Sequence, residues 1–199
     1  MARKPTIALR TISAIGVILI ANCLLPSLEA KDIIRDKSPD GKFALRITKE
    51  DEGWGAAIIN LKSKKDVVGL EIYQNFTEEA HLVWSKDSQR VVYFEPDRRG
   101  GGTTVYFRKG SEFEEVSLPY DDFPPCEEKP AEGGSGDKYL KTIEATTRPV
   151  KWLPSGDLVL KQHSESEMES GATRDCGQTI TIAFDSDHKA SVKSAKQHK

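Results

Sequence analysis

Three stretches of this chain share one pattern, and that pattern restricts the fold more than any other feature. KSPDGKFALRI (37–47), WSKDSQRVVYF (84–94) and WLPSGDLVLKQ (152–162) each place a short polar turn before a run of β-formers. A short apolar run precedes each turn: HLVW (81–84) and RPVKW (148–152) end in Trp, and DIIRDK (32–37) is a version without it. Pro presets φ, Asp and Ser bond back to the backbone, and Gly tolerates positive φ, so each turn has its own chemistry. Apolar runs on both sides of such a turn make a hairpin.

Two further strands are expected in each unit. GAAIINLKS (55–63) and DVVGLEIY (66–73) follow the first hairpin, and TTVYFRKG (103–110) and EFEEVSL (112–118) the second. After the third come GQTITIAFDSD (177–187) and KASVKS (189–194). In TITIAF, Ile180, Ile182 and Phe184 alternate onto one face, the strand period. Beyond residue 30 no long amphipathic helix is visible. Four antiparallel strands per unit is the make-up of a propeller blade.

The order of apolar run, Trp-Ser, Asp-containing turn, β-run, polar gap and Val/Ile-Tyr run resembles the WD40-like propeller repeats of the TolB type. The fullest match is residues 81–119, and SPDGKFALRI (38–47) carries that family's Ser-Pro-Asp-Gly turn. In the third unit Ser155-Gly156-Asp157 reverses the order of Asp and Gly. The resemblance covers most of residues 32–190 and implies an all-β fold of three antiparallel blade-like sheets, units about 32–75, 81–119 and 148–194. Closed propellers have at least four blades. Three units therefore form an open or irregular stack, or two chains complete a six-bladed ring. The spacing from Trp84 to Trp152 is longer than that from Lys37 to Trp84, and the excess lies in a Pro-, Gly- and acid-rich insertion at 120–141.

The first thirty residues stand apart. Arg3, Lys4 and Arg10 precede an uncharged apolar run from Ile12 to Leu25, and Ser27-Leu28-Glu29-Ala30 ends on a small residue. This is the layout of a secretory signal peptide cleaved after Ala30. The run falls short of the roughly 20 residues of a spanning helix, although a retained anchor is the alternative. Ile20-Ala21-Asn22-Cys23 approaches a lipobox but has Asn where a small residue belongs. The expected location is periplasmic or secreted.

Export makes Cys126 and Cys176 a disulfide candidate. Closing that loop stabilises the fold by roughly 4 kcal/mol in the chain-entropy model. Removing Arg3, Lys4, Arg10 and Glu29 from the 29 basic and 31 acidic residues leaves an excess of acid. That argues against a nucleic-acid partner, which calls for a basic face. The tail SVKSAKQHK (191–199) reads as a solvated end.

Few residues suggest chemistry. Asp36-Lys37-Ser38-Pro39-Asp40-Gly41 matches half of a calcium loop, but Ile47 stands where the closing Glu belongs, and a repeat turn explains the same residues. Arg98-Arg99-Gly100-Gly101-Gly102 is either a flexible hairpin loop or, more weakly, an anion site, with Arg98 and Arg99 as the binding residues. His81, His163, His188 and His198 lack metal-ligand spacing, and no cofactor is expected. There is no Gly-x-Ser-x-Gly elbow or His-Glu-x-x-His motif. Asn75-Phe76-Thr77 fits the glycosylation acceptor pattern. The expected role is non-enzymatic binding or scaffolding, with another envelope protein as partner and a homodimer as a further option. An inhibitor of an envelope-acting enzyme such as a lysozyme, or a small hydrolase, is the alternative.

Overall fold

The computed structural model describes residues 32–126 and 138–198. The signal segment with Cys23, the middle of the insertion and Lys199 lie outside the described residues. The described chain is all-β. Twelve strands run in order, with two short 3-10 turns, Gln74–Phe76 and Tyr120–Asp122.

The first four are β1 (Ile33–Arg35), β2 (Phe43–Glu50), β3 (Gly53–Asn60) and β4 (Asp66–Leu70), paired in sequence order as an antiparallel sheet. The next four are β5 (His81–Trp84), β6 (Arg90–Asp97), β7 (Gly100–Lys109) and β8 (Glu112–Val116), again an antiparallel meander. The last are β9 (Tyr139–Trp152), β10 (Leu158–Met168), β11 (Thr173–Phe184) and β12 (Ala190–Gln197). Four strands per unit, three units: the repeat is real in the backbone.

Two features correct the expectation. Three separate antiparallel sheets were implied, whereas the second and third units share one eight-stranded sheet. They are joined by a short parallel contact, Gly100 and Gly101 of β7 against Ala145 and Thr146 of β9. The third unit also starts earlier than 148: β9 begins at Tyr139, inside the expected 120–141 insertion. Neither sheet closes on itself.

The three repeat turns share one geometry. Gly41, Ser88 and Gly156 each donate their N–H to the carbonyl three residues back, on Ser38, Ser85 and Leu153, at 2.9, 3.0 and 2.9 Å. All three have positive φ, +68°, +59° and +90°. In each the first residue's N–H is taken by a carbonyl at the start of the next strand, on Phe43, Arg90 and Asp157. Left-handed φ suits Gly, and Ser88 accepts it at a cost. The Asp–Gly reversal of the third unit thus leaves Gly in the position that requires it. Asp157 falls behind the turn, where it receives the Ser155 hydroxyl at 2.8 Å.

Packing then stacks the units. Phe43, Leu45, Ile47 and Ile58 of the first meet Leu82, Val91, Tyr93 and Tyr106 of the second in one buried cluster. Val92, Val105 and Phe107 on the second unit's other face meet Leu158, Leu160, Ile180 and Ile182 of the third. The middle unit is buried on both faces, which is why Val91–Phe94 forms an unbroken apolar run instead of an alternating one.

The tryptophans fix the stack. Trp84 Nε1 donates to the Asp36 carbonyl at 2.7 Å, and Trp152 Nε1 to the Val83 carbonyl at 3.0 Å. In the repeat alignment Asp36 immediately precedes the first unit's equivalent of Trp, and Val83 immediately precedes Trp84. Each indole therefore bonds the same position of the preceding unit. Arg35 adds to the first junction by donating to the carbonyls of Thr77, Glu78 and Ala80, while the Asp36 carboxylate accepts the Leu82 N–H at 2.9 Å.

Candidate functional site

The residues singled out by sequence separate into those occupied by the fold and those left open. Asp36 is committed to the Leu82 N–H. Asp40 accepts the Ser38 hydroxyl at 2.7 Å and the Lys42 N–H at 3.1 Å, and pairs with Arg108 at 3.0 Å. Burial pushes its pKa up, but these donors outweigh burial and hold it below the ordinary carboxylate value. The half calcium loop is thus a turn whose carboxylates are used internally. Asp87 of the second turn is alike: burial raises it, and the Ser85 hydroxyl, the Gln89 N–H and Arg90 bring it below normal. At Asp157 the Lys193 ammonium, 2.6 Å away, is the main cause of a lowered pKa.

The glycine run has a structural reason that the sequence concealed. Gly100 and Gly101 are strand residues, not a flexible loop, with φ of +126° and +136°. A β-carbon on Gly100 would fall on the Ala145 carbonyl and the Thr146 hydroxyl, and one on Gly101 would meet the Glu95 carbonyl, Pro96 and Phe94. Glycine here permits close approach, at Gly100 to β9 of the third unit and at Gly101 to the paired strand β6. The Arg99 carbonyl accepts the Ala145 N–H at 2.8 Å, and the Thr103 hydroxyl donates to the Thr147 carbonyl, extending that seam.

Arg98 and Arg99 form the exposed β6–β7 turn, in which the Asp97 carboxylate accepts the Arg99 N–H at 2.6 Å. Neither guanidinium has a hydrogen-bond or ion-pair partner among the described residues. Beside them runs the first part of β9, where Arg99, Lys141, Thr142, Ile143 and Glu167 line an open cavity of about 320 Å³. Lys141 pairs with Glu167 at 2.9 Å. Tyr139 and Leu140 are 56% and 54% exposed, and Ile143 is 38% exposed. Register shifts in the β9–β10 ladder fall beside Leu140 and Ile143, as bulges that re-aim side chains do. Arg99 and Ile143, some forty residues apart in sequence, thus line one cavity, with Arg98 beside it in the turn and Tyr139 and Leu140 exposed at the start of the same strand. The sequence reading finds the arginines and misses the apolar residues, because Tyr139 and Leu140 fall at the end of the Gly- and acid-rich 120–141 insertion and Ile143 between it and the third unit.

Cys126 and Cys176 are bonded, with Cα atoms 5.8 Å apart. The bridge ties the end of the Tyr120–Cys126 segment to β11. Gln178 reinforces it by donating to the Pro124 carbonyl at 2.9 Å, and Phe123 packs against the second core cluster. The histidines are dispersed. His81 contacts the Glu79 carbonyl and lies on Phe94, His188 lies on Phe107, and His198 meets Thr179. His163 lies in β10. Asn75 is exposed in its 3-10 turn.

No protein-family model matches the chain, and no curated protein matches its sequence. Among solved structures it is similar to TolB from Acinetobacter baumannii, at 11% identity and a TM-score of 0.31 over 83% of this chain. The match spans 41% of that protein's length.

Proposed function

We propose that the chain is an exported, non-enzymatic binding module: an open, propeller-like stack of three units that presents one end to a protein of the cell envelope. The observation that carries this reading is the cavity shared by Arg99 and Ile143, with exposed Arg98 next to it in the turn and exposed Tyr139 and Leu140 on the same strand. Exposed aromatic and aliphatic groups flanked by unpaired guanidinium groups have the composition of a protein-contact surface, since Arg and Tyr supply much of the binding energy at interfaces. Its neighbourhood is held in place by the β7–β9 seam and the Cys126–Cys176 bridge, and pre-ordering lowers the entropic cost of binding. The disulfide also fits an oxidising compartment. A matching partner offers carboxylates beside an apolar patch.

The inhibitor reading uses the same end of the molecule, with the tethered Tyr120–Cys126 segment entering an enzyme's cleft. A pull-down tests both. The tagged chain 31–199 is mixed with the extracytoplasmic fraction of its source cells, in parallel with an Arg98→Ser/Arg99→Ser/Leu140→Ser variant. A protein retained stoichiometrically by the first bait and lost from the second supports the proposal. Equal retention by both baits moves the contact elsewhere. If the captured protein is an enzyme whose activity falls on binding, the module is an inhibitor.

A further inference from the structure

A second groove, of the reverse chemistry, also lies between the second and third units. It opens between β8 and the β11–β12 turn, where the outer strands of the second and third units diverge, with a cavity volume of about 480 Å³. Its floor is apolar. Val116 and Leu118 belong to the second core cluster, Pro119 continues that wall, and Ala190 is buried below. The rim carries Glu114 and Asp122 on one side and Asp187 with His188 and Lys189 on the other, and Glu114 also makes an exposed pair with Lys109 at 3.5 Å.

The fold explains why these groups face the groove. Val116 pairs with Val105 and Glu114 with Phe107, and both of those partners lie in the cluster toward the third unit. Glu114 and Val116 therefore share that face. The groove is wide because β8 ends at Val116 and the chain leaves toward Pro119. Across it, the β11–β12 turn is held by the Asp185 carboxylate, which accepts the N–H groups of Asp187 and Lys189 at 2.9 Å each. The geometry thus sets an apolar trough with a carboxylate on either wall, Glu114 on one side and Asp187 on the other.

From this apolar floor and its charge complementarity we propose that the groove docks an extended basic segment of a partner protein. Apolar side chains of that segment cover Val116, Leu118 and Ala190, while its Lys or Arg groups reach Glu114, Asp122 and Asp187. Long basic side chains suit the site because their methylenes lie along apolar surface while the charge reaches the rim. With Arg98 and Arg99 outside this groove, the module then has two chemically opposite contact surfaces and can connect two partners.

The test uses fluorescence anisotropy with the chain 31–199 and a labelled peptide of alternating Lys and Leu, beside a Glu-Leu peptide of equal length. The proposal expects binding of the Lys-Leu peptide only. Glu114→Gln/Asp122→Asn/Asp187→Asn should weaken it about tenfold, the sum of three modest exposed ion pairs. About 1 M salt, with a screening length of roughly 3 Å, should weaken it similarly. Arg98→Ser/Arg99→Ser should leave it unchanged, which separates this groove from the arginine surface. The three neutralised carboxylates are at the rim, and an unchanged melting temperature shows that the variant is folded. Failure of the Lys-Leu peptide to bind, or equal binding by wild type and the neutralised variant, overturns the proposal.

Discussion

Replacing Gly101 with alanine should destabilise the protein by about 4 kcal/mol, whereas the same change one residue later should be nearly silent. At Gly101 the backbone has φ of +136°, a region that costs a residue with a side chain roughly 1–3 kcal/mol. The new β-carbon would also lie 2.5 Å from the Glu95 carbonyl oxygen and 2.8 Å from Pro96 Cα. Both are backbone atoms of the paired strand and cannot rotate away, so overpacking adds about 1–3 kcal/mol. Gly102 has no atom within 4 Å of such a carbon and ordinary φ, so alanine there should change stability by less than about 1 kcal/mol, in the stabilising direction. For a domain of this size 1 kcal/mol shifts Tm by about 2–4 °C. Thermal unfolding followed by circular dichroism should therefore show Gly101→Ala roughly 10 °C below wild type and Gly102→Ala within a few degrees of it. Gly100→Ala should resemble Gly101→Ala and also expose the Ala145 amide to hydrogen exchange, because its β-carbon meets the Ala145 carbonyl. If Gly101→Ala and Gly102→Ala melt together, the close β6–β7 approach at Gly101 is not as described.

Other consequences follow from the same contacts. Trp152→Phe keeps an aromatic ring but removes the indole N–H from the Val83 carbonyl, and should cost about 1 kcal/mol in urea titration, with Trp84→Phe similar. Cys126→Ser/Cys176→Ser should lose up to roughly 4 kcal/mol, from release of a 50-residue loop, a loss that dithiothreitol reproduces in the wild type. Glu95 has its pKa raised, by burial first and then by Glu71 and Asp97, so its ionised form is penalised in the folded state. Glu95→Gln should raise Tm at pH 7, and the gain should disappear once the pH falls below about 4, where the carboxyl is protonated folded or unfolded. Asp40, Asp87 and Asp157 have the opposite sign. Their lowered pKa values contribute stability that is complete above the unfolded carboxylate value and is lost as the pH falls through the folded ones, so Asp157→Asn should destabilise at pH 7 and converge with wild type in acid.

The local signals in the chain were legible where one residue determines one conformation. Ser38-Pro39-Asp40-Gly41 and its two counterparts mark three turns because positive φ and side-chain-to-backbone bonds are local requirements. Val91–Phe94 was legible as a strand, but its burial on both faces needed knowledge that a unit lies on either side. Gly100-Gly101-Gly102 was ambiguous, since glycine serves equally for mobility and for close backbone approach. Only the partner strand, some forty-five residues later, distinguishes the two. The start of β9 was hidden for a related reason: Tyr139-Leu140-Lys141-Thr142-Ile143 has two bulges and therefore no clean alternation. The surface formed with Arg98 and Arg99 was beyond reach of the sequence, because it depends on the parallel β7–β9 contact that joins two units.

The most direct measurement is site-specific photo-crosslinking in the source cells, with the photoreactive residue at Leu140 on the proposed contact surface or at Lys65 in the exposed β3–β4 turn. The binding-module account predicts a single discrete adduct from Leu140, abolished by Arg98→Ser/Arg99→Ser, and none from Lys65. No adduct at Leu140, or the same adduct from both positions, would contradict it.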